Sequence, residues 1–155
     1  MQCRTRALNA LLNTFMAAAL SLLLLAPVVA ADEPPAAPLS LRAIMQELGA
    51  NMLRVTDAIS REDWAAIEKI ALHIAHHPHP APSEMKQIFS YLGKDVATFK
   101  SFDQQSHEAA QQLAAAAAKK DGAAVISAFA AVQTGCLGCH QQFRAELVKH
   151  LHAKD

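Results

Sequence analysis

The stretch VISAFAAVQTGCLGCHQQFRAELVKHL, residues 125–151, decides the fold prediction for this chain. Its core-side residues recur every three or four positions: Val125, Phe129, Val132, Cys136, Cys139, His140, Phe143, Leu147 and Leu151. That spacing is typical of an amphipathic helix with one buried face. The sequence therefore predicts one long helix after the turn Asp121-Gly122, with both cysteines and the adjacent histidine on its inner side.

Two further helices are predicted near the start of the folded part. Ser40 is a helix-cap residue, and an apolar stripe follows it at helical spacing. The stripe consists of Leu41, Ile44, Met45, Leu48, Met52, Val55 and Ile59. Ser60-Arg61-Glu62-Asp63 is interpreted as a capping box that opens the second helix. Its stripe consists of Trp64, Ile67, Ile70, Ala71 and Ile74. This helix must end before Pro78, since the following Pro-rich loop cannot continue it.

The middle of the chain completes the set of helices. Ser83 is expected to cap a short helix that runs to about Tyr91 and breaks at Gly93. A third long helix is expected over residues 95–119, where the alanine run 114–118 predicts close packing against a neighbouring helix. No alternating strand pattern appears in the sequence. The prediction is an all-α, antiparallel four-helix bundle, with the two cysteines near the C-terminus of its last helix.

The first residues of the chain are predicted to form a cleaved signal peptide. Residues 1–9 carry Arg4 and Arg6 and no acidic residue, and an apolar run extends from about residue 10 to residue 30. Small residues close the run, so cleavage is expected after Ala30 or Ala31. The alternative is a retained membrane anchor, because the run is nearly long enough to span a bilayer. The expected domains are a signal over 1–31 and a bundle over 32–155, with 32–39 as a flexible lead-in.

The counts of charged residues and cysteines limit the classes of function that the sequence supports. The 155 residues include 14 basic and 14 acidic ones. Without Arg4 and Arg6 the mature chain has 12 basic against 14 acidic residues, which does not favour nucleic-acid binding, since that needs a concentrated basic face. Cys3 leaves with the signal. The exported chain then retains two cysteines, Cys136 and Cys139.

Cys136-Leu137-Gly138-Cys139-His140 is the C-x-x-C-H attachment signature of haem c. The two thiols, one helical turn apart, can form thioethers to the two vinyl groups of one haem, and the histidine supplies the proximal iron ligand. A thioredoxin-like redox pair is one alternative, although no strand precedes this helix. Half of a zinc site is another, although no second ligand pair has suitable spacing. The sequence therefore predicts one covalently attached haem.

The position and extension of this motif resemble a known family. Residues 136–144, CLGCHQQFR, follow the pattern C-x-x-C-H-x-x-[FY]-R near the C-terminus of the last helix. That arrangement resembles the class II cytochromes c, the group of cytochrome c′ and cytochromes c-556. The resemblance covers the chain from about Leu41 onward, in helix order and motif placement. It implies a four-helix bundle that carries haem c.

The residue opposite His140 divides that class. In cytochrome c′ an apolar residue of the first helix faces the iron, which is five-coordinate and binds small gases such as nitric oxide. In the c-556 type a methionine of the first helix is the sixth ligand and the protein transfers electrons. Residues 45–52, MQELGANM, resemble the c-556 first helix, and this resemblance implies Met45 as the ligand. Met52 two turns later and a site without a methionine ligand are the alternatives, since methionine is also a common core filler.

Other candidate residues surround this motif. The resemblance implies that Arg144 lies beside the proximal imidazole, and Arg42 is a candidate partner for a haem propionate. Either arginine could instead be a solvated surface charge. Phe143, with Phe99 and Phe129, is a candidate lining residue of the haem.

Histidines cluster at the end of the second helix, and the members are His73, His76, His77 and His79. Metal binding is one interpretation of this cluster, and a solvated Pro-rich loop is the favoured one. His107 shows no partner pattern in the sequence.

The combined prediction is a periplasmic electron carrier with one haem c, which works with redox partner proteins and is not an enzyme by itself. The alternative is a gas-binding protein of the cytochrome c′ kind. A structural bundle with a disulfide between its cysteines is a third, remote interpretation. The resemblance also implies a homodimer, formed through the first two helices, as an oligomeric state to test.

Overall fold

A computed structural model describes residues 39–152 of the protein, and the side chains of residues 39–151. This part of the chain contains six α-helices. They are α1 (Leu41–Ser60), α2 (Trp64–Ala75), α3 (Pro82–Leu92), α4 (Val96–Ala118), α5 (Gly122–Cys139) and α6 (Ala145–His152). A 3₁₀ turn joins α3 to α4, and a π-helical turn, His140–Arg144, joins α5 to α6.

The four long elements form the predicted all-α bundle, in which α5 and α6 act as one continuous fourth helix. Residues 39–152 contain no strand. Along the chain, α4 packs closely against both α2 and α5, and α1 packs against α2. Between α1 and α5 the backbones approach each other far less than in those three neighbouring pairs. The axes of α1 and α5 are therefore farther apart than those of the other three pairs, although both helices contribute buried residues to the core.

Helix caps show where local sequence signals succeed and where they fail. The Ser40 hydroxyl accepts the Ala43 N–H at 3.2 Å, so this cap is confirmed. The prediction that a capping box at Ser60 opens α2 was wrong. Ser60 is the last residue of α1 and donates to the Thr56 carbonyl, while Asp63 caps α2 by accepting the Ala66 N–H at 3.1 Å. The reason is that α1 extends through Ser60, so α2 begins at Trp64, three residues later than a cap at Ser60 would place its start.

The cap of α3 also differs from the prediction. This helix begins at Pro82 behind Ala81, which makes no side-chain cap bond, so Ser83 lies inside the first turn. Proline fits there because its fixed φ is helical and its missing N–H would have no helical partner. The break at Gly93 is confirmed: its φ of +54° is one that residues with a Cβ rarely adopt.

Two separate hydrophobic clusters fill the bundle. The first, here the body cluster, is built from α1, α2, α4 and α5. Its buried members are Val55, Ala58, Ile67, Ala71, Ile74, Ala75, Ala109, Ala110, Leu113, Ala114, Ala116, Ala117, Val125, Ala128 and Val132. The second, here the end cluster, consists of Ile88, Leu92, Phe143 and Leu147 from α3, the π turn and α6. The Leu41 N–H donates to the Glu84 carboxylate at 3.0 Å, which ties the start of α1 to α3.

The alanine run of α4 allows close helix packing, as the sequence predicts. Ala114, Ala116 and Ala117 are buried in the body cluster, whereas Ala115 faces solvent. Because Ala117 is only 1% exposed, a larger side chain there must displace its neighbours.

We expect Ala117→Leu to destabilise the fold by about 1–3 kcal/mol through overpacking. Ala115→Leu is the matched control on the same helix, and we expect it to change stability by less than about 0.5 kcal/mol. Urea denaturation of the two variants measures the difference. Equal stability of both would mean that α4 does not pack as closely as described.

The predicted signal peptide lies outside the described residues, as does the lead-in up to residue 38. Within the described part, the stretch Gly122–Leu151 is long and apolar enough to cross a membrane by length and composition alone. A helix that belongs to the core of a soluble bundle can satisfy the same criterion, and Val125 and Val132 of this stretch are fully buried in the body cluster.

Candidate haem-binding site

Cys136 and Cys139 lie at the junction of the two hydrophobic clusters. Both occupy the last turn of α5, where a separation of three residues places them on neighbouring positions of one helix face. Cys136 packs against the body cluster and Cys139 against the end cluster. Both are free, half-buried thiols. A planar apolar group that is attached to both sulfurs would therefore contact both clusters.

The ionisation of these thiols does not suit redox catalysis. Burial raises the pKa of Cys136, and burial together with the negative charge of Asp103 raises the pKa of Cys139 to about 11. A thioredoxin-like pair needs a thiol whose pKa is lowered, so that the nucleophilic thiolate exists at neutral pH. Apolar surroundings suit a neutral thioether instead.

The zinc interpretation also finds no support at the cysteines. Among the side chains of residues 39–151, neither cysteine belongs to a group of three metal-binding side chains. A structural zinc site needs four protein ligands in tetrahedral geometry around the ion.

Two glycines next to the cysteines let α4 press against α5. A Cβ atom on Gly138 would lie 2.7 Å from Cε1 of Phe102, and one on Gly135 would lie 2.7 Å from the Ser106 hydroxyl. Both distances are shorter than any normal contact, so the helices could not approach this closely with larger residues. The glycine within the C-x-x-C motif thus gives α4 a position directly beside it.

A π-helical turn begins at the histidine of the motif. The five residues His140–Arg144 widen the helix before α6 resumes. Single π turns inside α-helices occur frequently at functional sites. Sequence reasoning missed this turn, because the residues of the stretch suit an α-helix as well as a π-helix.

His140 is exposed, so the prediction that it lies on the inner side of the helix with the two cysteines is wrong for this structure: the π turn begins at this residue. The surroundings of its ring favour the neutral form. Partial burial lowers the pKa of His140, and the nearby Arg144 guanidinium lowers it further. Neutral imidazole is the form that ligates iron. Arg144 itself is exposed, on the same π turn.

Phe143 is the aromatic residue most firmly fixed near the motif. It is 6% exposed, and its ring makes edge-to-face contacts with Phe99 and Phe102, with centroids 5.6 and 6.3 Å apart. Phe99 packs against the same end cluster, whereas Phe129 packs against the body cluster. The candidate lining residues are therefore divided between the two clusters.

On α1 the candidate residues differ in their packing. Leu41 packs against the end cluster, and Leu48 and Met52 pack against the body cluster. Met45, one turn after Leu41 and one before Leu48, belongs to neither cluster and is 39% exposed. Arg42 is exposed. Met45 thus lies between these two contacts along α1 but is a surface residue, although the sequence places it in the apolar stripe of this helix.

The site residues fit a covalently held haem. They offer two thiols in apolar surroundings, an adjacent imidazole that is held neutral, and aromatic packing behind it. A family model described as Cytochrome C′ matches residues 40–144. Neither the curated proteins nor the solved structures include a match to this chain. The family match covers more than half of the chain and the whole four-helix region up to Arg144. The chain therefore belongs to the cytochrome c′ family of four-helix-bundle proteins, which carry haem c.

Proposed function

We propose that this protein is an electron carrier with one haem c, bound through thioethers to Cys136 and Cys139. His140 and Met45 are the axial iron ligands in this proposal, which makes the iron six-coordinate and low-spin. The observation that carries it is the position of Met45. It follows Leu41, which packs against the end cluster, and precedes Leu48, which packs against the body cluster, while its own thioether is 39% exposed and packs in neither cluster.

The antiparallel course of α1 and α5 supports this pairing. Along α1 the contacts pass from the end cluster at Leu41 to the body cluster at Leu48. Along α5 they pass in the opposite direction, from the body cluster at Cys136 to the end cluster at Cys139. Met45 is the residue between those two contacts on α1 that offers a thioether. A haem held at the cysteines in the space between α1 and α5 would have this thioether on the face opposite His140.

Met52 is the weaker ligand candidate. Its side chain is half-buried and packs against the body cluster, where it performs the ordinary gap-filling role of methionine. To ligate iron, Met52 would have to leave that packing. Met45 has no such packing to lose.

The roles of the protein residues follow from this arrangement. A haem with a histidine and a thioether ligand supplies reversible one-electron redox chemistry at a raised potential. Cys136 and Cys139 hold its edge, and the two clusters exclude water from its faces. Partial burial and then the Arg144 guanidinium lower the pKa of His140, while Arg42 provides an exposed guanidinium one turn before Met45 for pairing with a propionate.

The competing proposal is a five-coordinate haem protein that binds nitric oxide or carbon monoxide. The name of the matching family, Cytochrome C′, favours this function, since such proteins have an open iron site. An optical spectrum of the purified holoprotein separates the two. A low-spin oxidised spectrum with the weak near-infrared sulfur-to-iron band supports His/Met ligation. A high-spin spectrum with ready gas binding supports the competing function.

We further propose that the protein works in the periplasm with redox partner proteins, without nucleic acid, and as a carrier without catalysis of its own. Proteins of the family are generally not enzymes. The balance of 14 basic and 14 acidic residues supports a protein partner over nucleic acid. N-terminal sequencing of the periplasmic protein should begin at Ala31 or Asp32. Sedimentation then tests whether the holoprotein is a monomer or a homodimer.

A further inference from the structure

Three side chains that are distant in sequence meet on the side of the bundle between α2 and α4. His77 follows the end of α2, and Asp103 and His107 lie one turn apart on α4. The Nε2 atoms of His77 and His107 are 3.0 Å apart, and each lies 3.6 Å from Oδ1 of Asp103. We call these three residues the His-Asp-His cluster.

The dimensions of the cluster match one face of a tetrahedral metal site. Metal-to-ligand distances of about 2.0–2.2 Å for nitrogen and oxygen imply separations of about 3.3–3.6 Å between ligand atoms. The three observed separations, one of 3.0 Å and two of 3.6 Å, are close to those values. The ligand atoms therefore need only small shifts to surround one ion.

Hydrogen bonding prepares His77 for this role. The Nδ1 atom of His77 is 2.9 Å from the carbonyl oxygen of Pro78, so Nδ1–H donates, and in the neutral ring the Nε2 lone pair faces the cluster. A hydrogen bond of this kind, from the ring nitrogen that does not bind the metal, fixes the tautomer of most metal-binding histidines. Pro78 and Pro80 flank His79 and stiffen the loop, and Pro80 is buried.

The imidazoles are partly withdrawn from solvent, whereas the carboxylate keeps the site accessible. The side chain of His77 is 10% exposed and that of His107 is 20% exposed, while Asp103 is 42% exposed. Two imidazole nitrogens in hydrogen-bond contact need a proton between them, and a cation can replace that proton. An ion can thus enter at the carboxylate side and find two nearly fixed nitrogen ligands.

We propose that the His-Asp-His cluster is a binding site for a divalent first-row transition metal ion. Two imidazoles and one carboxylate suit zinc and copper(II), which bind nitrogen ligands well, and not calcium or magnesium, which prefer all-oxygen sites. The fourth position is available to a water molecule. The ring of His79, 6.1 Å from that of His77, is the nearest further imidazole in the loop. None of the three ligands is a haem-attachment residue, although the charge of Asp103 acts on Cys139, and the proposal does not depend on the proposed electron-transfer function.

The test uses the holoprotein and Zn²⁺ alone. Equilibrium dialysis should give one zinc ion per chain. Asp103→Asn and His107→Gln should each weaken binding at least tenfold, because each removes one of three ligands; asparagine keeps the shape of aspartate, and glutamine keeps a polar side chain of similar length. His76→Gln is the matched control: this neighbouring histidine is exposed and lies outside the cluster, so its variant should bind zinc within twofold of the wild type.

Thermal unfolding gives a second measurement that a fold defect cannot imitate. A hundredfold excess of zinc over its Kd should raise the Tm of the wild type and of His76→Gln by more than about 5 °C. The Tm of Asp103→Asn and His107→Gln should not respond to the same zinc concentration. Circular dichroism without zinc verifies that all four proteins have the same helix content.

X-ray absorption at the zinc edge identifies the ligands without interference from haem iron. Nitrogen and oxygen neighbours at about 2.0–2.1 Å support the proposal, whereas sulfur at about 2.3 Å would assign the ion to cysteine and overturn it. Absence of zinc uptake by the holoprotein also overturns it. So does uptake that survives loss of both Asp103 and His107 but disappears in a His76, His79 double variant, since the loop histidines would then be the ligands.

Discussion

A protein in which both Cys136 and Cys139 are replaced by alanine is expected to lose its covalent haem and much of its stability. The structure has two separate hydrophobic clusters with the cysteines at their junction, and α1 and α5 pack loosely against each other. Haem at this position would join the clusters and cover apolar surface of both. Since a ligand that binds only the folded state stabilises it, loss of the ligand lowers the free energy of unfolding.

Acid-acetone extraction measures the first effect, and thermal unfolding followed by circular dichroism measures the second. We expect all haem of the wild type to resist extraction and none to remain on the double variant. The Tm of the double variant should fall by more than about 10 °C if haem contributes several kcal/mol of binding free energy.

Leu137→Ala is the matched control for this experiment. Leu137 lies inside the C-x-x-C motif but is 57% exposed and packs in neither cluster. The variant should therefore retain haem and stability. If the double cysteine variant were as stable as the wild type, haem could not occupy the junction of the clusters. A mature wild type that carries zinc or a disulfide and no haem would contradict the family function itself.

Met45→Leu is expected to convert a low-spin iron into a high-spin one. Leucine has nearly the volume of methionine but no sulfur lone pair, so the iron loses its sixth ligand while the packing is kept. The near-infrared sulfur-to-iron band should disappear. The reduction potential should fall by on the order of 0.1 V, because the soft ligand that favours ferrous iron is lost. This shift is a fraction of the range of about 0.8 V over which axial ligands tune haem potentials.

The same variant should gain affinity for carbon monoxide and nitric oxide, since these ligands no longer compete with a thioether. Met52→Leu is the control on the same helix: it removes a thioether that packs against the body cluster, and it should leave spectrum and potential unchanged. A large effect of Met52→Leu alone would keep the electron-carrier function but place the ligand two turns later. A wild type that is already high-spin would favour the gas-binding function.

The sequence by itself was sufficient for much of this architecture. Apolar periodicity identified the four long helices, because burial of one helix face leaves a repeat of three and four residues in any bundle. The break at Gly93 and the cap at Ser40 were also readable, since each depends on a few adjacent residues. The haem motif was readable because covalent attachment needs two thiols and an imidazole at fixed spacing.

Local signals failed where two adjacent helices compete for the same residues. Residues 60–63 match the pattern of a capping box, yet α1 extends through Ser60. The residue that caps α2 is Asp63. Which serine or aspartate caps a helix depends on where the preceding helix ends. That end is set by packing of α1 against α2 and not by the tetrapeptide alone.

Only the tertiary structure decided which distant residues meet. His107 has no partner pattern in the sequence, yet the packing of α4 against α2 brings it within 3.0 Å of His77, 30 residues earlier. The same packing of helices places the two cysteines at the junction of the two clusters, and it brings Phe102 against Gly138. Helical periodicity reports which face of a helix is buried, but it carries no information about which helix covers that face or at what height. Those relations arise from the packing of whole helices, whose side chains must interlock across the bundle.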